Sequence, residues 1–337
     1  MAKRIGTNSF TFDNKISFIA EASIVGNTER DGPRGEYFDR AIEDDLWGEK
    51  TWEQAESKIY YEAVRLALMK SGLAETDIHM ALGGDLLNQL ISAGFAARQM
   101  EFPFLGLYSA CSTMSESLLV AGMAVDSGCA ENILCCVSSH FSTAERQFRT
   151  PLEQGTQRTP TAQRTITGAG ACILSVNQGN GPYLTGATPG RVVDYGIKDA
   201  NNMGAAMAPA AVDTIYTHLI DHGREPGYYD AIYTGDLGKL GMKLCSEMLL
   251  EKGVDVAGIL HDCGVEMFDE SQDTHMGGSG AGCSAVTLAA YLIRKLREGN
   301  IHRLLFLATG ALLSTTSTLQ GESIPSVAHA VTIEKEG

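Results

Sequence analysis

Residues 104–138 read FLGLYSACSTMSESLLVAGMAVDSGCAENILCCVS, and the fold class follows from this segment. Its first seven residues are mostly apolar and predict a buried strand. Thr113 and Glu116 have the spacing of a capping box, which predicts a helix that runs to Gly128. Residues 133–138 predict a second buried strand. A strand, a helix and another strand in succession are typical of an α/β protein.

The same order of elements recurs in the second half of the chain. GGDL at 83–86 is matched by TGDL at 234–237, and ACS at 110–112 resembles GCS at 282–284. Gly72 and Gly223, which each end a predicted helix, lie thirteen residues before the aspartate of these turns. We therefore predict two tandem βαβαβ units of about 150 residues each, in residues 1–180 and 181–337.

The remaining segments complete this outline. Thr51 begins a predicted helix that Gly72 ends, and residues 86–100 predict a second helix. The first fifty residues predict loop structure, and the polar residues 139–165 predict a long loop of the functional kind. Short strands are predicted at 78–82, 171–176, 256–260, 303–308 and 330–334.

Composition excludes several classes of function. The 337 residues contain 26 Lys and Arg against 41 Asp and Glu, a net charge of −15, which argues against binding to nucleic acid or to an anionic membrane surface. None of the eight cysteines forms a CxxC pair, so zinc-binding and thioredoxin-like patterns are missing. No apolar segment has the length of a signal peptide or membrane span, so we expect a soluble protein of a reducing compartment.

Cys111 is the candidate nucleophile. It follows a predicted strand and precedes a predicted helix, where the helix dipole and free N–H groups favour the thiolate. The alternative is that it packs as a small apolar residue, which is what we expect of Cys129, Cys135, Cys136, Cys172 and Cys245.

A thiolate nucleophile requires a proton acceptor, and the histidines are the candidates. His140 follows a strand, His275 precedes the glycine-rich GGSG at 277–280, and His261 with Asp262 ends another strand. Because strand ends in an α/β sheet converge on the ligand crevice, these residues are the best placed. We expect structural roles for the other five: His79, His302 and His329 in or beside strands, and His218 and His222 as surface or capping residues.

The arginine-bearing segment ERQFR at 145–149 has two interpretations. Arg146 and Arg149 could clamp an anionic ligand, since guanidinium groups bind carboxylates in a bidentate manner. Alternatively, the segment is a solvated loop or a subunit contact. GGSG at 277–280 lacks the Lys-Ser/Thr of a phosphate-binding loop and equally suits a close approach of two backbones.

With its two tandem halves and a cysteine before the buried helix of the first, the chain resembles thiolases and ketoacyl synthases. More narrowly, it resembles the stage V sporulation protein AD family of spore-forming bacteria over nearly its whole length. The segments that carry this resemblance are GDLLNQ at 84–89, ACST at 110–113, SH at 139–140, AERQFR at 144–149, MAPAA at 207–211, TGDL at 234–237, DCG at 262–264, GGSG at 277–280 and ATGALLS at 308–314.

The resemblance implies an α/β thiolase-like fold with αβαβα layers. It also implies a sporulation protein that binds dipicolinic acid (pyridine-2,6-dicarboxylate), takes part in its uptake with calcium into the developing spore, and is associated with germination. The turns at Cys111, His140, Asp236, His275 and Cys283-Ser284 would then supply the pocket, with Arg146 and Arg149 as possible carboxylate contacts. No cofactor or protein-bound metal is expected, although calcium can accompany the ligand. Because the calcium chelate is neutral, an acidic protein need not repel it.

The chain departs from condensing enzymes at two places. The turn where they commonly carry a catalytic histidine reads GDLG at 235–238, and GAGC at 280–283 has neither Asn nor His before the last buried helix. Cys111 thus lacks the groups that polarise a thioester and accept protons. The resemblance therefore implies a catalytically degenerate pocket, not an enzyme, with Cys111 as a vestigial nucleophile.

Two other functions stay open. One is an acyl-CoA-dependent acyltransferase or condensing enzyme in which Cys111 is the nucleophile and His140 or His275 an unconventional base. The other is a structural subunit whose surface recruits other proteins. The resemblance further implies a homodimer, peripheral to the spore inner membrane through partner proteins of the same sporulation operon.

Overall fold

The structure is a computed structural model that describes residues 2–148, 158–176 and 179–336. Its strands are β1 Lys3–Ile5, β2 Ser9–Val25, β3 Arg40–Ala41, β4 Met80–Gly84, β5 Phe104–Gly106, β6 Asn132–Ser139, β7 Arg164–Thr165, β8 Gly168–Val176, β9 Tyr183–Thr188, β10 Ala231–Thr234, β11 Leu260–Asp262, β12 Gly278–Ser279, β13 Arg303–Ala311 and β14 Ser326–Glu334. Its helices are α1 Asn27–Arg30, α2 Trp52–Ser71, α3 Ile91–Ala97, α4 Thr113–Asp126, α5 Phe141–Phe148, α6 Met203–His222, α7 Gly238–Glu251, α8 Ala281–Thr287, α9 Ile293–Glu298 and α10 Thr315–Leu319.

The strand order shows the internal repeat directly. The main sheet runs β11-β10-β13-β14-β9-β2-β8-β6-β4-β5. When the five strands of each half are numbered in chain order, both halves have the same arrangement. From the outer edge of the sheet to its centre, the order is third, second, fourth, fifth, first. The two first strands, β9 and β2, pair antiparallel and join the halves. The predicted α/β fold with two pseudo-repeated halves is confirmed.

Each half contributes five strands to the main sheet, more than the three of the predicted βαβαβ unit, and the prediction of loop structure for the first fifty residues is wrong. β2 spans seventeen of them and is the first strand of the first half. Phe10, Phe12, Ile16, Phe18 and Ala20 alternate with mainly polar neighbours, which is a period of two. The Gly32-Pro33 turn lies seven residues after the end of this strand, so it does not argue against a strand here.

The helices form layers around the sheet. α4, from the first half, packs against β6 and also against β13 and β14 of the second half, while α8, from the second half, packs against β6 and β8 of the first. These two helices therefore lie between the halves, with α2 and α3 on one outer face and α6 and α7 on the other. Gly170 of β8 permits the close approach, since a Cβ there would lie 2.3 Å from the backbone of Ala285.

Three predicted elements differ from those observed. The helix predicted at 86–100 is only α3, because Gln89 and Leu90 have φ values of 57° and 53° in the left-handed region. The side chain of Leu90 packs where Cβ atoms on Gly84 and Gly106 would stand. The predicted loop at 139–165 contains α5, and the strand predicted at 256–260 is instead β11. The helix from the Thr51 cap to Gly72 is confirmed.

Candidate functional site

A cavity lies where the N-terminal end of α4 meets α5 and the second half of the chain. Its walls are predominantly apolar, and its polar groups are a thiol, hydroxyls and one carboxylate. No lysine, arginine or histidine is among the described residues that line it, which are Leu86, Tyr108, Ala110, Cys111, Ala144, Glu145, Phe148, Thr165, Ala200, Met203, Ser279, Ala311 and Leu313.

Cys111 is held at one end of this cavity by the turn that precedes α4. The hydroxyl of Thr113 accepts the N–H of Ser109 and donates to the carbonyl of Ala110, so it closes the turn instead of forming the predicted capping box with Glu116. Ala110 has φ 50°, in the left-handed region. A strained non-glycine residue directly before the cysteine shows that the surrounding structure imposes this geometry.

The partner of Cys111 is the buried carboxylate of Asp236, at the turn between β10 and α7. Asp236 Oδ2 accepts the Ser279 hydroxyl at 3.0 Å and the Gly280 N–H at 3.0 Å, and Oδ1 accepts the Thr309 hydroxyl at 2.9 Å. The charge of this carboxylate also acts on the Cys111 thiol. Burial raises the pKa of Asp236 to about 6, against the opposing effect of these donors.

The electrostatics of Cys111 are the reverse of the sequence expectation. Burial first, and then the Asp236 carboxylate, raise the pKa of the thiol well above its usual range. A helix dipole stabilises a nearby anion by about 0.3–1 kcal/mol. Burial and the carboxylate together outweigh the dipole, so the protonated thiol is favoured.

Neither candidate histidine lines the cavity. His140 is buried, with Nε2 2.8 Å from the Asp45 carbonyl, while its Nδ1 accepts the Ser142 N–H at 3.2 Å. Burial lowers the pKa of His140, so the ring is neutral and fixes the segment around Asp45. His275 is half-buried in a turn with φ 53°.

The third candidate, His261 with Asp262, also lies outside the cavity. His261 Nδ1 is 3.0 Å from Glu266 and its ring stacks on Tyr233. Asp262 is buried and accepts the N–H groups of Leu237, Gly238 and Val265, so it holds the turn that carries Asp236 in place.

His218 does not have the surface or capping role expected of it, whereas His329 has the expected structural role. His218 is buried, not a surface or capping residue, with Nδ1 2.7 Å from the Thr188 hydroxyl. His329 lies 3.3 Å from the Ser109 hydroxyl, behind the Cys111 turn, and burial lowers its pKa to about 4.

The remaining candidate residues from the sequence do not line the cavity or lie outside the described residues. Cys283 and Ser284 are buried in the first turn of α8, and neither lines the cavity, although Cys283 lies within electrostatic range of Cys111. Arg146 forms an ion pair with Glu53 on a separate outer groove. Arg149 lies outside the described residues.

Sequence reasoning missed the residues that form the cavity walls. Ala144, Glu145 and Phe148 share one face of α5, within the AERQFR segment that drew attention only for its arginines. Their spacing of one and four residues is helical, and would have revealed that face had the segment not been read as a loop. Glu145 is buried, and it contributes a carboxyl group to this wall.

Metal-binding capacity is limited in the described residues. They contain no group of three or more His, Cys, Asp or Glu side chains arranged to hold a metal ion. In the same parts of the chain, no helix has both the length and the apolar character required to span a membrane.

Comparisons with known proteins agree with this architecture. The solved structure of 3-oxoacyl-[acyl-carrier-protein] synthase III from Aquifex aeolicus superposes with a TM-score of 0.57 over 95% of this chain and 99% of that one, at 14% identity. An OleA variant of Xanthomonas campestris gives 0.62 over 96% and 97%, also at 14% identity. At this identity the likeness shows the thiolase-like fold alone.

Sequence comparison is more specific. The family model described as stage V sporulation protein AD matches residues 6–334. The stage V sporulation protein AD of Bacillus subtilis (strain 168) is 42% identical over 335 residues, which cover 99% of each chain. A family match over nearly the whole length, with this identity and the same fold, places the chain: it belongs to the stage V sporulation protein AD family.

Proposed function

We propose that this protein binds dipicolinic acid as its calcium chelate and supports its uptake into the developing spore. Family membership supplies the ligand class, and the cavity beside Cys111 is the observation that carries the proposal. Apolar walls with a few polar groups are typical of a small-molecule site. A planar pyridine ring can lie against Phe148, Met203 and Leu313, with the hydroxyl of Thr165 as a donor.

The charge of the cavity favours the chelate over the free acid. Glu145 lines the wall, and Asp236 lies directly behind Cys111 and Ser279. The carboxylate of Asp236 repels the dipicolinate dianion, and the described residues that line the cavity include no lysine, arginine or histidine that could pair with it. Calcium neutralises the ligand and removes this repulsion.

Titration calorimetry with dipicolinate, with and without calcium, tests the proposal directly. We expect saturable 1:1 binding in the presence of calcium. Ala200→Phe places a ring in the cavity from a half-buried loop position and should weaken binding at least tenfold. Cys129→Ala is the control, because Cys129 is exposed and far from the cavity lining. Absence of saturable binding with either ligand form would refute the proposal.

The second candidate function is acyl transfer with Cys111 as the nucleophile. The observation that favours it is an apolar cavity that ends at a thiol, which would suit an acyl chain. Against it stands the carboxylate partner, which opposes thiolate formation. Incubation with acyl-CoA donors followed by mass spectrometry distinguishes the two: a Cys111 adduct supports acyl transfer, and unmodified protein supports the proposed non-enzymatic, catalytically degenerate site.

We also propose that the protein is a homodimer, peripheral to the spore inner membrane through proteins of the same operon and active in germination as well. The support for dimerisation is the end strand β5, whose outer edge is unpaired among the described strands. Leu105 on this strand is 51% exposed, and Phe95 and Tyr108 beside it are 42% and 44% exposed. An open strand edge with exposed apolar side chains is a surface for pairing with another chain.

A further inference from the structure

A continuous chain of hydrogen bonds lies beside the C-terminal end of α6. His218 is at its centre, with Nδ1 2.7 Å from the Thr188 hydroxyl of β9 and Nε2 2.5 Å from the Tyr229 hydroxyl. The Thr188 hydroxyl is in turn 2.7 Å from the Ser9 hydroxyl of β2. All four side chains are buried, so the hydrogen-bond chain is shielded from solvent as it passes from the second half to the first.

The end of this hydrogen-bond chain at β2 determines which way its hydrogens point. Ser9 donates its hydroxyl hydrogen to Asp221 Oδ2 at 2.9 Å. Burial opposes ionisation of Asp221, but hydrogen bonds from residues 7–9 lower its pKa to about 2, so it is a carboxylate at neutral pH. A contact of 2.7 Å between two hydroxyl oxygens requires a hydrogen between them, so Thr188 donates to Ser9. Thr188 has no second hydrogen, so it accepts the hydrogen of His218 Nδ1.

The other end settles the state of the His218 ring. Arg224 Nη1, which can only donate, donates to the Tyr229 oxygen at 2.7 Å. If Nε2 of His218 also carried a hydrogen, this oxygen would accept twice, and the Tyr229 hydrogen would lack an acceptor among the described groups in contact with it. A neutral ring accepts the Tyr229 hydrogen at Nε2, and every group is then satisfied. Burial, followed by His222 and Arg224, lowers the pKa of His218 and favours the same neutral state.

We propose that His218 is a pH-sensitive latch for the C-terminal end of α6, closed while its ring is the neutral Nδ1–H tautomer and opened by a second proton. A hydrogen on Nε2 meets the Tyr229 oxygen, which already accepts from Arg224, so the hydrogen-bond chain breaks there. The protonated ring is also a buried cation beside a guanidinium, which drives it toward solvent. The latch lies at the opposite end of α6 from Met203, which lines the cavity.

The surroundings of the ring oppose its protonation. The titratable groups that face it or its immediate partners come from α6, from the segment that follows α6 and from β14, and they are Asp221, His222, Arg224, Tyr228, Tyr229 and Glu334. β2 and β9 contribute uncharged hydroxyls. α7 and β13 also pack against α6, but none of their described groups acts on the charge of the ring. Of the groups that do, Asp221 favours a protonated ring, whereas His222 and Arg224 disfavour it.

Nitrogen NMR of the histidine rings tests the tautomer in the wild-type, full-length protein. The His218 signals are assigned through its side-chain carbons, so no variant is required. From pH 8 to pH 6 we expect a hydrogen on Nδ1 and none on Nε2. A hydrogen on Nε2 within this range would overturn the proposal, because the hydrogen-bond chain would then not run from Arg224 to Asp221.

Hydrogen exchange at lower pH tests whether the second proton opens the latch. Once Nε2 of His218 gains its hydrogen, the backbone N–H groups of residues 218–229 should exchange faster than the intrinsic pH dependence predicts. Those of α2, in the other half, should follow the intrinsic dependence. Protonation of Nε2 without faster exchange at 218–229 would show that the ring is not a latch.

The pH dependence of the unfolding equilibrium constant provides a third test. An unfolded histidine takes up a proton near pH 6.5, whereas the folded His218 ring stays neutral, so its contribution to stability is lost as the pH falls below about 6.5. His218→Asn keeps an N–H group for Thr188 but does not titrate. Relative to this variant, the unfolding equilibrium constant of the wild type should rise about tenfold from pH 7.5 to pH 5.5.

His302→Asn is the matched control, because His302 is exposed and its ring is in water in both states. Its profile should run parallel to that of the wild type. A ratio between the wild type and His218→Asn that stays constant from pH 7.5 to pH 5.5 would contradict the proposal. If His218→Asn does not fold, the NMR and exchange measurements on the wild type still decide. None of these measurements involves dipicolinate, so their outcome is independent of the proposed ligand.

Discussion

The carboxylate of Asp221, near the C-terminal end of α6, accepts the backbone N–H of Ser9, at the start of β2, at 3.0 Å. It also accepts the N–H groups of Thr7 and Asn8, at 2.8 and 2.9 Å. One side chain of the second half thus fixes the entry of the long strand of the first half. Burial opposes ionisation of Asp221, but these hydrogen bonds outweigh it and lower its pKa to about 2.

Asp221→Asn should therefore destabilise the protein in a pH-dependent manner. A carboxyl group whose pKa is lowered by folding stabilises the native state above its unfolded pKa, near 4, and the contribution disappears as the pH falls to about 2. We expect a loss of about 1–2 kcal/mol in unfolding free energy at pH 7. The difference from the wild type should shrink below pH 4, as measured by denaturant titration. A constant difference at pH 7 and pH 3 would contradict this explanation.

Glu56 and Asp85 form a second electrostatic feature, a buried carboxyl pair beneath the cavity wall. Glu56 accepts the hydroxyls of Ser138 and Thr143 at 3.0 and 2.9 Å, and Asp85 accepts the N–H groups of Leu87 and Ala93. Burial, and then the charge of Asp85, raise the pKa of Glu56. Its stabilising effect is complete at acidic pH and is lost as the pH rises through the elevated pKa.

Glu56→Gln should accordingly flatten the stability profile. We expect the wild-type unfolding free energy to fall between about pH 5 and pH 8, by up to about 1.4 kcal/mol per pH unit, and the variant to lose most of that slope. The control is Glu251→Gln, because Glu251 is exposed at the end of α7. Parallel profiles for the wild type and Glu56→Gln would show that the pair does not share a proton.

Glu145→Gln tests the role of cavity charge in the choice of ligand form. Arg164 lies within electrostatic range of Glu145, so replacing Glu145 by Gln makes this region more positive and should strengthen binding of free dipicolinate several-fold. Binding of the calcium chelate should be unchanged or weaker. Calorimetry with both ligand forms measures the ratio. An equal change for both forms would show that Glu145 contributes shape and not charge.

The unpaired edge of β5 predicts the effect of charge on assembly. Leu105→Asp should convert the proposed dimer to a monomer, because a buried carboxylate in the interface has no partner, while Leu105 is exposed enough in the monomer to tolerate the change. Light scattering after gel filtration gives the mass. Leu250→Asp is the matched control, since Leu250 is 61% exposed on α7 at the opposite end of the sheet. If the wild-type protein is itself monomeric, the proposed homodimer is refuted.

Gly170→Val tests the contact between the halves. A Cβ at this position would collide with the backbone of Ala285, which cannot move without displacing α8. We expect a loss of about 1–3 kcal/mol in unfolding free energy, measured by denaturant titration. Gly94→Ala is the comparison, because nothing lies within 4 Å of its Cβ position in α3. That change should stabilise the protein by about 0.5–1 kcal/mol.

Much of the fold is accessible from local pattern. The caps at Thr51 and Gly72 predict α2 correctly, and the matched GGDL and TGDL turns predict two related halves. The predictions that are wrong come from local composition that favoured loops where a strand or a helix forms. Glycine, proline and acidic residues near residue 32 concealed the period-two pattern of β2, and polar residues concealed α5. Only packing shows that Gln89 and Leu90 break the predicted second helix.

The site itself could be predicted only in part. The sequence singles out Cys111 and Asp236 separately, each at a strand-to-helix turn. It could not show that the charge of Asp236 acts on Cys111, because residues 125 positions apart come near each other only when the two halves fold over α4 and α8. For the same reason the expected thiolate was assigned from the dipole of one helix, without the carboxylate that opposes it.

By itself, then, the sequence determined the α/β class, the repeat, the family resemblance and the candidate cysteine, because propensity, periodicity and short motifs are properties of neighbouring residues. Only the tertiary structure decided that Glu145 and Phe148 line the cavity, that His140 does not, and that the charge of Asp236 acts on Cys111. Burial and long-range charge set those outcomes, and both arise from contacts between segments far apart in the chain.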